Sequence, residues 1–585
     1  MKLARLIFGL LVFCALGGRA FVSNLNESGQ VQRWDLINIP EFVHTNIVNP
    51  DTRAVRYYIA SDAYSTTNTA AEINAVRASF DQWQSIPGTH LKFEFAGLVA
   101  PGVDINTSDN TNVVFWVKGT TMVNNGQANI LNALGVTFTS FFADNTLAEG
   151  DIVLNAAYDS GSGPYRWFTD STDSNNTGHF VEGVTLHEIG HLVGLEHSPV
   201  GGATMLARGS TGIKSTQIGL SSDEIAAARF HYPSDTNVGG LIGTVTRDST
   251  GIFGAIVVVE DANGNVIAGT VTRTGGGYFL PTLPPGTGYQ VRAAPLDPSG
   301  ASSFLVKGSD IGSAFAGAVT DFKPSAPQAA SVVAGETNTV NIAVTGGAPE
   351  FWISRTRPAT SNPNSFSSIN SAITMNPGQS NMVVGVYGPQ LPGSNATLQV
   401  TGTGITLGTV TFDSKFGLTN ISVVINVASN AAPGLRSLVV VSNTEVAYAN
   451  GFLEILPVVP DNNFDGFDDR FQRQYFALFT GADAKSDANP DGDAHDNLSE
   501  YIAGTNPTLA SSILKIDSVT QNQSGATVTV ASVVGKKYQL FARDQVVGSS
   551  WQTIGAPVTA SGTTTPLSDP AGTGAMRFYR VQVLP

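Results

Sequence analysis

The first third of the chain combines one helical pattern of apolar residues with several strand-like ones. Apolar residues recur at the spacing of a single helix face from Ile73 to Trp83, which predicts an amphipathic helix over residues 70–85. Thr69 and Glu72 have the spacing of a capping box at its start. Short runs rich in β-branched and aromatic residues flank this helix, at Val55–Ile59, Leu91–Phe95, Val113–Val117 and Asp151–Asn155. The alternation predicts an α/β domain.

After Pro233 the pattern changes to short alternating strands separated by turns. Residues 241–292 have Gly-rich turns and a hairpin signal at Asn263-Gly264. Residues 346–457 and 512–585 alternate in the same way, and a Pro- and Ala-rich connection lies at 323–330. We expect β-sandwiches here.

The length of the chain indicates several domains, and its charge argues against one class of partner. The 585 residues exceed what one hydrophobic core holds and suggest about four domains. The net charge of -15, without a basic stripe, argues against a nucleic-acid partner, because an acidic surface repels phosphates.

The first twenty residues have the features of a signal peptide. Lys2 and Arg5 precede an apolar core at 6–16, and small residues at 18–20 suit cleavage. A membrane anchor is the weaker alternative, because the apolar run is shorter than the roughly 20 residues that span a bilayer. We expect secretion, ending in the medium, in the periplasm or on the cell surface. The single cysteine, Cys14, would leave with this segment, so the mature chain would have no disulfides.

The segment HEIGHLVGLEHS at 187–198 carries the candidate chemistry. On a helix, His187 and His191 project from one face and suit two ligands of a Zn²⁺ ion, and Glu188 suits a general base. Gly194 permits a left-handed turn that returns His197 as the third ligand. Zinc held this way activates a water molecule and polarises a substrate carbonyl. A bare HExxH also arises by chance on surface helices.

The extended motif, with Gly194, His197 and Met205, makes chance improbable, and the region from Trp34 to Pro233 resembles the matrixins, a branch of the metzincin zinc peptidases. GDIVLN at 150–155, LSSDEIAAARFHYP at 220–233, and Ser198 after the third histidine support the resemblance. It implies an endopeptidase acting on proteins or peptides, with Met205 packed beneath the zinc. It also implies a cleft in which the substrate lies antiparallel to an edge strand at 150–155.

Some features depart from the family. A cysteine switch is impossible in a mature chain without cysteine. His44, His90 and His179 are scattered without ligand spacing, so we interpret them as ordinary polar or packing residues. Ala207 stands where other metzincin branches carry a zinc-binding tyrosine, which favours the matrixin branch.

Two acidic loops near the C-terminus have the ligand spacing of calcium sites. The first loop, 461–472, offers Asp461, Asn463, Asp465 and Asp469, with Gly466 at the turn and Gln472 in the last position. The second loop, 489–500, offers Asn489, Asp491, Asp493, Asn497 and Glu500. A register from Asp487 would place Leu498 where the acid belongs. The segment resembles thrombospondin type 3 and dockerin-like modules, and solvated acidic turns are the alternative.

The predicted fold class is therefore multidomain: an α/β metzincin (zincin-like) catalytic domain, all-β sandwich modules and a small calcium-loop segment. The predicted parts are a signal peptide (1–20), the zinc peptidase domain (21–235), a carboxypeptidase regulatory-like sandwich (236–345), an immunoglobulin-like sandwich (346–457), the calcium segment (458–508) and a C-terminal sandwich (509–585). The last part resembles C-terminal modules of exported bacterial proteins, which suggests a contact with a cell surface or glycan.

The predicted function is that of a secreted zinc metalloendopeptidase, a hydrolase that cleaves extracellular proteins and has structural Ca²⁺ as well as catalytic Zn²⁺. The alternative is a surface adhesion or structural protein with an inactive zincin domain. Intact Glu188 favours the enzyme. The segment at about 206–219 would form the S1′ pocket.

Overall fold

The chain is described by a computed structural model that covers residues 22–24, 30–157, 164–173, 176–208, 218–296, 306–318, 320–358, 372–415, 418–443, 445–548, 550–574 and 576–584. The predicted signal peptide and much of the 206–219 segment lie outside the described residues. The structure forms two compact units, one reaching Val458 and including Asn462–Phe464, the other comprising Val459–Asp461 and Asp465–Pro585. The described part of the chain contains no helix with the length and hydrophobicity needed to cross a bilayer.

The first domain is built on a twisted, mostly parallel sheet. The strands of this domain are β1 (Val48–Asn49), β2 (Ala54–Ala60), β3 (Phe93–Val99), β4 (Val113–Val117), β5 (Met122–Val123), β6 (Ala128–Asn129), β7 (Gly135–Phe141), β8 (Leu147–Asn155), β9 (Trp167–Phe168) and β10 (His179–Phe180). Outside the main sheet, β5 pairs with β6 and β9 with β10. The order in the main sheet is β1-β2-β4-β8-β7, and β3 also pairs with β2. β7 is antiparallel to β8 and forms the edge. The prediction that 150–155 is the edge strand is wrong, since β8 lies inside the sheet.

In the described part of this domain the sheet is accompanied by three helices, α1 (Thr69–Gln84), α2 (Val181–Leu192) and α3 (Ser222–His231). Helix α1 confirms the predicted periodicity, and Phe80 and Trp83 are fully buried. The predicted capping box is wrong, because Asn68 is the N-cap and makes no side-chain cap bond. Glu72 instead accepts hydrogen bonds from the amide and hydroxyl of Ser65, at 2.9 and 2.7 Å.

A β-sandwich follows the first domain. Its elements are β11 (Gly239–Arg247), β12 (Thr250–Gly251), β13 (Ile256–Glu260), β14 (Val266–Val271), β15 (Gly277–Leu283), β16 (Gly286–Ala294), α4 (Gly308–Ile311), a 3-10 turn (Ser313–Phe315), β17 (Gln328–Val332), β18 (Thr337–Thr339) and β19 (Ile342–Ala343). The predicted hairpin turn is confirmed: Gly264 has a φ of 76° between the antiparallel strands β13 and β14. The apolar core is continuous with that of the first domain.

A second sandwich in the same unit consists of two four-stranded sheets. Its strands are β20 (Arg355–Pro358), β21 (Ile373–Met375), β22 (Met382–Gly388), β23 (Thr397–Val400), β24 (Ile405–Lys415), β25 (Leu418–Val427), β26 (Gly434–Val441) and β27 (Val446–Ile455). They enclose a separate core that includes Val384, Ile421 and Leu453.

The second unit contains two short helices and two three-stranded sheets. Its elements are α5 (Asp469–Tyr475), a 3-10 turn (Ala482–Ala484), α6 (Asn497–Ala503), β28 (Ile516–Asn522), β29 (Gly525–Ala531), β30 (Lys537–Arg543), β31 (Gln552–Thr559), β32 (Thr564–Asp569) and β33 (Phe578–Leu584). Val528, Tyr538 and Leu540 are buried between the sheets. An α/β domain followed by a β-rich region is the predicted fold class.

Candidate metal centre

Helix α2 and the turn that follows it bring three histidines together. His187 and His191 lie one helical turn apart, and Gly194, with a φ of 93°, reverses the chain so that His197 returns to them. A side chain at Gly194 would collide with the backbone oxygen of Gln32. One ring nitrogen from each of the three histidines lies within 4.8 Å of the others. This is the convergence that a single metal ion requires.

The hydrogen bonds of His187 and His191 leave the Nε2 atom of each ring available to bind a metal. The Nδ1 atoms of His187 and His191 lie 2.7 Å from the oxygen of Thr204 and 2.8 Å from that of Leu195. Because a carbonyl only accepts, each Nδ1 donates, and each Nε2 keeps its lone pair. Burial lowers the pKa of all three histidines, to about 3 for His197. Neutral imidazoles with free Nε2 lone pairs fit Zn²⁺.

Strand β7 packs against the side chain of Glu188. This carboxyl is buried, and burial raises its pKa to about 8 against the effect of a hydrogen bond from Thr137. The Thr137 hydroxyl lies 2.8 Å from Oε2 and 2.8 Å from the backbone oxygen of Glu188. A Cβ atom at Gly135 would stand 2.7 Å from Oε1, so the strand approaches this closely because residue 135 is glycine. The motif alone does not reveal Thr137 or Gly135.

Met205 packs against the metal-binding helix. A Cβ atom added to Gly190 would lie 2.1 Å from the Met205 sulfur, so the thioether fills the space beside α2. Helix α3 fixes this turn, because Glu224 accepts a hydrogen bond from the Met205 amide at 2.9 Å. Its neighbour Asp223 accepts one from the Ser198 hydroxyl at 2.6 Å. The segment at 220–233 therefore supports the histidine cluster.

An open cleft of about 730 Å³ runs along the cluster. Its walls are residues 132–139 at the edge of β7 and residues 204–208 after Met205. His179 also lines the cleft and stands beside the rings of Tyr165 and Trp167. His44 accepts a hydrogen bond from the amide of Asn46, and the ring of His90 bonds the carbonyl of Pro233, far along the chain.

The site has the features of a metzincin-type zinc peptidase. These are three converging imidazoles, an adjacent buried carboxyl, a glycine turn and a methionine beneath the helix. Residues 49–232 match the family model of the matrixins, and this match together with the three histidines identifies the protein as a zinc metalloendopeptidase. A search of curated proteins found no match to the chain.

The second predicted calcium loop forms another group of ligands. Oxygens of Asp491, Asp493 and Glu500 lie within 4.8 Å of one another. Several of these oxygens are buried without a hydrogen-bond partner, as is Oδ1 of Asn497. Asn489 instead bonds the amide of Gly492 and the carbonyl of Asp493. This set belongs to the register that begins at Asn489.

The first predicted calcium loop is arranged differently. Asp461 accepts hydrogen bonds from the amides of Asp465 and Gly466, and Asp465 accepts one from the Gln472 amide at 2.8 Å. Asn463 and Asp469 are buried, and Asp469 is the first residue of α5. Among the described residues, the carboxylates of this loop do not converge as those of the second loop do.

Proposed function

We propose that the chain is a secreted zinc-dependent endopeptidase that hydrolyses peptide bonds of extracellular proteins, with Glu188 as the general base. The observation that carries the proposal is the placement of Glu188, buried beside the three histidines and open to the cleft. Zinc held by His187, His191 and His197 would activate a water molecule and polarise the scissile carbonyl.

Glu188 has the environment that proton transfer needs. Burial keeps bulk water from this carboxyl, and Zn²⁺ beside it would favour the ionised form, which can take a proton from water and pass it to the leaving amine. The Thr137 hydroxyl restricts the carboxyl to one orientation. The chain itself therefore supplies both the base and its positioning group.

Among the residues that the structure describes, no strand pairs with the outer edge of β7, which supports an extended peptide as the substrate. β7 pairs with β8 on one side, and residues 134–139 line the cleft on the other. A substrate strand could form backbone hydrogen bonds with this edge, which gives affinity independent of its sequence. This favours a protein or peptide substrate.

Secretion and calcium binding complete the proposal. The features of residues 1–20 support export, and the resemblance of residues 509–585 to exported modules supports a contact with a cell surface or glycan. The oxygen ligands of 489–500 support Ca²⁺, and the spacing of Asp461, Asn463, Asp465 and Asp469 supports a second ion.

The experiment that tests the proposal is metal removal and restoration. The purified full-length protein should cleave casein, lose this activity when a chelator removes zinc, and regain it when one equivalent of zinc is added. A calcium-saturated buffer throughout keeps loss of calcium from imitating loss of zinc. Undiminished cleavage by a zinc-free preparation would refute the proposal.

A further inference from the structure

The three histidines differ in where their structural support comes from. His187 and His191 bond Thr204 and Leu195 of the peptidase domain itself. The turn that carries His197 instead packs against the first β-sandwich, where Gly312 faces Glu196. Gly312 directly follows helix α4 of this sandwich. The third histidine is thus supported from outside the peptidase domain.

The side chain of Asp310, in α4, contacts the wall of the cleft. Its Oδ2 lies 3.0 Å from Nη2 of Arg208, a residue that lines the cleft just beyond Met205. The same oxygen accepts a hydrogen bond from the amide of Lys307 at 3.1 Å, which fixes the carboxylate at the start of α4. A residue of the sandwich therefore contacts the wall of the cleft.

Packing holds α4 in this place. Ile311 and Phe315 are buried in a cluster with Val200, Ala203 and Leu206, which belong to the loop between His197 and the cleft wall. Gly312 faces Glu196, so that an added Cβ atom would stand 3.1 Å from the Glu196 carboxylate. The sandwich thus approaches the third histidine as closely as a glycine allows.

We propose that α4 is a working part of the protease site: it positions His197 by packing against Glu196 and the loop after the histidine, and its Asp310 sets the charge of the cleft wall through Arg208. The inference deepens the proposed function and rests on it. Because the Asp310 carboxylate offsets the Arg208 charge, this wall suits an uncharged substrate side chain. Without that carboxylate, the wall favours an acidic one.

The first test displaces α4 in the full-length protein. Gly312→Ala places a methyl group against Glu196, whereas Gly317→Ala, in the same segment, meets nothing within 4 Å. Zinc affinity measured by competition with a chromogenic chelator should fall about tenfold in Gly312→Ala, as when support for a metal ligand is lost, and should stay unchanged in Gly317→Ala. Wild-type affinity in folded Gly312→Ala would overturn the positioning role.

The second test removes charge without displacing α4. Asp310→Asn is compared with Asp62→Asn, which breaks the Asp62–Lys118 ion pair away from the cleft. Each protein cleaves paired peptides with Leu or Glu next to the scissile bond. The Glu/Leu ratio of kcat/KM should rise about fivefold in Asp310→Asn alone, the size of a partly exposed ion pair. Equal ratios in all three proteins would overturn the specificity role.

These outcomes separate the inference from the proposed function. A wild type that neither binds zinc nor cleaves peptides refutes the proposed function. A wild type that does both, with variants that match their controls, refutes the role of α4 alone. Should Gly312→Ala fail to fold by circular dichroism, zinc affinity in Ile311→Ala, which loosens the packing of α4 on the same loop, tests the positioning role, and the Asp310→Asn comparison tests the specificity role.

Discussion

At the residue scale, the orientation of Glu188 depends on one hydroxyl group, that of Thr137. Thr137→Val keeps the shape of the side chain and removes the hydrogen bond. We expect kcat to fall about 10- to 100-fold with zinc retained, because a misplaced base transfers protons poorly. Thr139→Val, two residues along the same strand and also in the cleft, is the control. Equal kcat values in the two variants would contradict this role.

His231 makes stability depend on pH. Its Nε2 lies 2.8 Å from the Ser23 hydroxyl and its Nδ1 3.1 Å from the Val193 oxygen, and burial lowers its pKa to about 4. In the unfolded chain the pKa is about 6.5. The unfolded chain therefore binds the proton more tightly, and the free energy of unfolding falls as pH drops from 6.5 towards 4, by at most about 3 kcal/mol.

Urea unfolding at pH 7 and pH 5 checks this. The loss of stability between the two pH values should be smaller in His231→Gln than in the wild type, because glutamine does not titrate. An equal loss in both proteins would show that His231 is not the group responsible.

The metal-binding residues were predictable because the motif is local. Helical periodicity places His187 and His191 on one face, and the need for a left-handed residue explains Gly194. Thr137 and Asp310 were not predictable, since each reaches the site from a distant part of the chain and nothing in its neighbouring sequence marks it. The motif thus predicts the three histidines but not the residues from elsewhere in the chain that hold the site in place.

At the element scale, the edge strand shows why one prediction was wrong. Within GDIVLN the run Ile152–Leu154 is apolar on both faces, which is typical of an interior strand, and residues 150–155 are indeed all buried. The real edge, β7, is half-buried along most of its length. Its alternating pattern, GVTFTSF, was the available signal.

The capping pattern has a similar explanation. Thr69 and Glu72 match the motif, but the chain before α1 folds so that Glu72 reaches Ser65 instead. A complete capping box does occur at α3, between Ser221 and Glu224, where Glu224 also holds the Met205 amide. A short motif does not identify its own tertiary context.

In the second predicted calcium loop, one substitution should change the melting temperature in opposite directions with and without calcium. Burial, together with the charges of Asp491, Asp493 and Asp496, raises the pKa of Glu500 to about 7. Glu500→Gln should therefore raise the melting temperature in a chelator, by relieving repulsion. In calcium the same substitution should lower the melting temperature, because the variant loses stabilisation by the bound ion.

Calorimetry on the full-length protein gives both values. The transition of the second unit is compared with and without calcium, and Asp517→Asn, in the same unit but outside the loop, is the control. A calcium effect that is the same in the wild type and Glu500→Gln would contradict the site.

At the scale of the whole molecule, the peptidase domain and the first sandwich share one core. The Thr282 hydroxyl of the sandwich bonds the Ala226 carbonyl of α3 at 2.6 Å, and the Gly269 amide bonds Asp223 at 2.7 Å. Residues 22–235 alone should therefore melt at a lower temperature or aggregate, because this surface becomes exposed.

The fragment 22–235 is compared with a chain of residues 22–464, which keeps the first compact unit. In this longer chain the peptidase domain should melt at the same temperature as in the full-length protein. Differential scanning calorimetry measures both. A fragment 22–235 that melts at the full-length temperature would show that the sandwich does not stabilise the peptidase domain.

Sequence reasoning predicted separate modules and gave no sign of their joint core. Gly201 and Gly202 look like an ordinary turn, yet added Cβ atoms would lie 2.3 Å from the Phe452 ring and 2.2 Å from Leu435 of the second sandwich. Close packing between modules depends on complementary surfaces from distant segments, which no local pattern encodes.

The central claim is that zinc binding and Glu188 together make this molecule a peptidase. The most direct measurement is zinc content and casein cleavage on the same samples of wild type and Glu188→Ala. We predict one zinc per chain in both proteins, with a cleavage rate about 10² to 10⁴ lower in Glu188→Ala, because a base is lost and no ligand is. Near-wild-type cleavage by zinc-loaded Glu188→Ala would contradict the account.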